Sequence, residues 1–122
     1  MINMNYQLEI IKQINKLKDY NDFKDIIGEF ENVLSKNQIT QEDYNQKINE
    51  LFNKYPLEMN IICSRDTIAT KIGKNRNPKS YKETLIDILI SITIIKYCKK
   101  IGKPYTMHDI NGYNFIFNVL NN

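Results

Sequence analysis

The run from Leu85 to Ile95 constrains this chain most, because its apolar residues are interrupted only by Asp87, Ser91 and Thr93. Tyr81, Leu85, Ile88, Leu89, Ile92 and Ile95 follow helical spacing along one stripe, and Ile86, Ile90 and Ile94 fill the other side. A helix apolar nearly all round is covered on several faces, so the segment from Pro78 to about Cys98 is expected to be the central strut of the core. Its β-branched content leaves a strand open for Ile90 to Ile95, since periodicity alone does not separate a buried strand from a buried helix. The run is far short of the roughly 20 apolar residues that a membrane span needs.

A strut of this kind needs partners, and the first half of the chain supplies amphipathic ones. Between Tyr6 and Lys18, either Leu8, Ile11 and Ile14 or Ile10, Ile14 and Leu17 make a helical stripe. Asp19, Tyr20 and Asn21 break it. Phe23, Ile26, Ile27, Phe30, Val33 and Leu34 then share one face, with Asp22, Lys24, Asp25, Glu29 and Glu31 mostly opposite. Residues 1–35 are thus expected to form a helical hairpin that packs against the second half, with dimerisation as its functional alternative.

Thr40 and Asp43 have the spacing of a capping box, and Ile39 and Tyr44 that of a hydrophobic staple. The helix they open buries Tyr44, Ile48, Leu51, Phe52 and Tyr55 and is stopped by Pro56. The β-branched stretch Met59 to Cys63 reads as a short edge strand. Ser64 is placed to cap a short helix that ends at Gly73, and Pro78 to open the next one after Asn77. Beyond Gly102, Lys103 and Pro104, Asn111 and Gly112 supply the residues of a type I′ turn between Tyr105 and Val119, which favours a β-hairpin. A helix capped by Thr106, with Ile110, Tyr113, Phe117 and Leu120 on one face, is the competing arrangement.

Charge divides the chain. Residues 1–54 hold seven Lys and nine acidic residues, and residues 55–122 ten Lys or Arg and five acidic, which together give the net +3. Arg65, Lys71, Lys74, Arg76, Lys79 and Lys82 face only Asp66 and Glu83 between Ser64 and Glu83. Such a basic cluster fits either a solvated loop or a nucleic-acid contact.

Taken together, a helix, a short strand, two helices joined by a basic turn and a hairpin resemble the winged helix-turn-helix family over about residues 40–120. Ile68, Ala69 and Gly73 in the first helix and turn, Leu85 and Leu89 in the recognition helix, and Asn111 and Gly112 at the wing tip carry the resemblance. The turn is longer than is usual in that family and the third helix more apolar. The expected fold is therefore mainly α, a single domain with an N-terminal helical hairpin followed by a winged-helix-like core with a C-terminal two-stranded hairpin.

The resemblance implies double-stranded DNA as partner. Lys71, Lys74, Lys79 and Lys82 then contact phosphates, Arg76 a guanine edge, and Asn75, Asn77, Ser80 and Tyr81 add polar contacts. A homodimer through the N-terminal helices is compatible with this reading, and a small inhibitor or adaptor that blocks a protein partner is the alternative to it. His108 is the only histidine, and Cys63 and Cys98 lack ligand-like spacing, so no metal, cofactor or enzymatic activity is expected. Without a leader-like N-terminus or a spanning segment, the expected protein is cytoplasmic, not membrane-bound, and Lys-, Asn- and Ile-rich like those of low-G+C bacteria, phages or plasmids.

Overall fold

The computed structural model describes residues 4–17, 20–64 and 80–104. Five α-helices lie among them: α1 (Met4–Ile14), α2 (Lys24–Ser35), α3 (Gln41–Lys54), α4 (Pro56–Ser64) and α5 (Tyr81–Ile101). Short 3-10 turns, Asn15–Leu17 and Asn21–Phe23, extend α1 and open α2. α1, α2, α3 and α4 all pack on α5. Every residue from Thr84 to Ile95 is buried, so α5 is the central strut and the strand option for Ile90 to Ile95 is excluded.

The polar residues of the strut are accommodated without leaving the helix. Thr84 donates to the Ser80 carbonyl at 3.1 Å, Ser91 to that of Asp87 at 3.0 Å and Thr93 to that of Leu89 at 2.8 Å. Each hydroxyl borrows a carbonyl one turn back, which removes much of the cost of burying it.

α2 presents the face that spacing assigns it, whereas α1 buries parts of both alternative stripes. Ile11, Ile14 and Leu17 are buried from the first segment, and Phe23, Ile26, Ile27, Phe30 and Val33 from the second, with Leu34 partly covered. Leu8 remains 39% exposed. Glu29 departs from its expected outward position. It is buried where α2 meets α3, bonded to Lys47 and Lys54, each at 3.2 Å. α3 opens with the complete Thr40–Asp43 capping box and ends before Pro56.

The winged-helix-like fold with a C-terminal hairpin is corrected by an all-helical arrangement, in which no strand is present among the described residues. Residues 105–119, where the hairpin was expected, and Asn111 and Gly112 with them, lie outside the described residues. The edge strand expected at Met59 to Cys63 is α4. Pro56 ends α3 but also begins α4, a position where its missing N–H costs nothing. Met59 donates to the Tyr55 carbonyl at 2.9 Å, and Met59 and Ile62, three apart, are both fully buried. Ser64 is the last residue of α4, and the short helix expected between it and Gly73 lies outside the described residues.

The start of the strut also moves. Its cap is Ser80, not the Asn77–Pro78 pair, and its end runs beyond Cys98 to Ile101. Gly102 closes it with φ of 70°, a left-handed conformation that suits glycine, while Lys103 N–H bonds back to the Cys98 carbonyl at 2.9 Å.

Candidate nucleic-acid interface

Of the residues singled out for DNA contact, the structure describes Ser80, Tyr81 and Lys82; Lys71, Lys74, Asn75, Arg76, Asn77 and Lys79 lie outside the described residues. Ser80 Oγ accepts from the Glu83 N–H at 3.1 Å and donates to Glu83 Oε1 at 3.3 Å. A serine followed three residues on by glutamate is the signature of a helix start, so this boundary was legible locally. Tyr81 is half-buried, its ring 5.0 Å from that of Tyr44 on α3 and tilted by 39°.

Lys82 sits in the first turn of α5, where its charge opposes the positive end of that helix's dipole. Its ammonium instead reaches the other end of α2, donating to the carbonyls of Leu34 at 3.3 Å and Lys36 at 2.7 Å. These carbonyls lie at the C-terminal end of a helix, which favours a cation. Lys82 thereby ties α5 to α2, and nothing in the spacing of its own helix marks this role.

These contacts fix the C-terminal flank of residues 65–79. The N-terminal flank is fixed by α4, whose Ile62 is fully buried in the core. Between the two flanks the chain carries Arg65, Lys71, Lys74, Arg76 and Lys79 against Asp66 alone.

A second basic group, which spacing did not single out, closes the opposite end of α5. Lys96 Nζ lies 5.9 Å from the Phe23 ring centroid and 5.6 Å from that of Tyr55. Lys100 pairs with Asp22 at 2.9 Å and lies 5.4 Å from the Tyr20 ring centroid. The Lys100 hydrogen bond, reinforced by its charge, holds the Asp22 carboxyl below its usual value. Together with Lys99 and Glu58, Asp22, Phe23, Lys96 and Lys100 line an open cleft of about 240 Å³. The residues were visible in the sequence, but their convergence depends on α2, α4 and α5 meeting at one corner.

Two further charged features are structural. Lys47 bridges Glu29 and Glu50, the latter at 3.0 Å. Burial pushes the Lys47 ammonium down, but the hydrogen bonds and charges of Glu50 and Glu29 outweigh it and the net shift is upward. Cys98 is fully buried and takes part in no disulfide among the described residues. No group of three or more His, Cys, Asp or Glu able to hold a metal occurs among the described residues, and none of their helices is long and apolar enough to cross a membrane.

No family model, curated protein or solved structure matches the chain.

Proposed function

We propose that this protein binds double-stranded DNA without catalysing a reaction, as a small cytoplasmic regulator or accessory factor of a low-G+C bacterium, phage or plasmid. The observation that carries this reading is that both flanks of the basic segment 65–79 are tied to one helical core, through Ile62 on one side and Ser80, Tyr81 and Lys82 on the other. A cationic segment held at both ends loses less freedom on binding than a free tail, so more of its electrostatic attraction survives as affinity. Ser80 caps α5 and Lys82 bonds to the end of α2, which leaves Lys71, Lys74 and Lys79 for phosphates, Arg76 for a guanine edge, and Asn75 and Asn77 for polar contacts.

Replacing Lys74, Arg76 and Lys79 together by Ala tests the reading. Affinity for a mixed-sequence duplex is expected to be lost at low salt with the melting temperature unchanged, and each single Lys substitution should reduce the salt slope by about one. Unchanged duplex affinity in the triple variant overturns DNA binding and favours a protein-blocking inhibitor.

A further inference from the structure

The cleft at the C-terminal end of α5 holds cations that no carboxylate among the described residues neutralises. Lys100 is taken by Asp22. Lys96 and Lys99 line the same cleft and form no ion pair among the described residues. Lys96 is only half exposed, its ammonium placed over Phe23 and Tyr55, and a partly desolvated cation attracts an anion more strongly than one in open water. The opening turn of α2, with Asp22 and Phe23, adds the positive end of a helix that lacks a side-chain cap bond.

We propose that this cleft binds a phosphoryl group, with Lys96 and Lys99 as its direct cationic contacts. Asp22 does not oppose the anion, because Lys100 already compensates it. Glu58 stands on the lining without an ion pair among the described residues and weakens the site by repulsion. At about 240 Å³ the cleft is smaller than the roughly 300–1,000 Å³ of a typical pocket for a whole small molecule, so it accommodates a phosphoryl group and its immediate substituent. That group belongs either to a small phosphate ester or to the backbone of a nucleic acid. The proposal rests on the cleft alone and is independent of residues 65–79.

Pyrophosphate titrated into the full-length, isotope-labelled protein is the first probe, read from the backbone amide signals of Asp22, Phe23, Lys99 and Lys100. A saturable response is expected that sodium chloride at matched ionic strength does not reproduce. Lys99→Glu, at an exposed position, should weaken it by about tenfold, and Glu58→Gln should strengthen it by about threefold. The combined Lys96→Gln and Lys99→Gln variant should abolish it. A non-saturable response, or one unaltered by Lys99→Glu, overturns the proposal.

The same Lys99→Glu variant titrated against a mixed-sequence duplex separates the two sources. Weakened duplex binding assigns the phosphoryl group to a nucleic-acid backbone, and unchanged duplex binding with a lost pyrophosphate response assigns it to a small ester. Failure of the substitutions at Lys74, Arg76 and Lys79 to affect duplex binding leaves the pyrophosphate result standing, so the two readings fail separately.

Discussion

Lys82 in the first turn of α5 gives its ammonium to two carbonyls at the end of α2, whereas Lys96, near the other end of α5, lies over two aromatic rings with no carboxylate paired to it among the described residues. The difference follows from the helix dipole. A cation at the start of a helix opposes its own dipole and is stabilised by reaching the C-terminus of another helix. In the last turn of α5, Lys99 and Lys100 are already favoured by the field of their own helix, and Lys100 is further held by Asp22. One end is therefore closed by internal bonds, and the other retains cations that can meet a ligand.

The largest expected effect falls on the segment joining the two ends. Leu89 is fully buried, so Leu89→Asp places a carboxylate in an apolar interior and should cost about 4 kcal/mol or more, read as loss of cooperative urea unfolding. A soluble variant with an unchanged unfolding midpoint would break the picture of one covered strut between two ends.

Lys82→Met keeps the aliphatic stem but removes two charged hydrogen bonds to carbonyls, and should cost about 1–2 kcal/mol in the same measurement. An effect below that of Lys99→Met would erase the contrast between the ends. Ser80→Ala removes the cap and should cost about 1 kcal/mol, with hydrogen exchange accelerating in the first turn of α5.

The smallest effect at neutral pH, and one confined to alkaline conditions, concerns Tyr55 under Lys96. Burial, with lesser contributions from Glu29, Asp25 and Glu58, raises the Tyr55 hydroxyl from its ordinary 10.0 to about 12. A raised folded value means that the unfolded chain releases this proton first. Stability from this group is thus fully present below about pH 10 and falls as pH rises towards about 12. Tyr55 Oη is buried without a hydrogen-bond partner among the described residues, so Tyr55→Phe should be nearly neutral at pH 7 and should flatten the alkaline decline. Urea midpoints measured across that range for both proteins give the difference, since the lysine titrations common to them cancel.

Local signals in the sequence determined that the segment around Leu85 to Ile95 is the buried strut, though not that Ile90 to Ile95 is helix, and they determined the two amphipathic helices before it, the Thr40–Asp43 cap and the stop at Gly102. Each of these depends on residues within a turn or two of one another, where backbone geometry makes spacing and contact nearly the same thing. The Ser80–Glu83 cap was legible by the same rule, although Pro78 drew the boundary elsewhere. Tertiary structure decided the rest. Met59, Ile61 and Ile62 suit a strand as well as a helix until the core that receives Met59 and Ile62 is in place, and their β-branched content favoured the wrong one. Glu29 finds Lys47 and Lys54, Lys82 the end of α2, and Lys96 the rings of Phe23 and Tyr55 only when distant helices meet. Spacing within a helix selects the face a side chain occupies, but the groups across the interface, a few ångströms away, decide whether a charge there is bonded, buried or left able to bind.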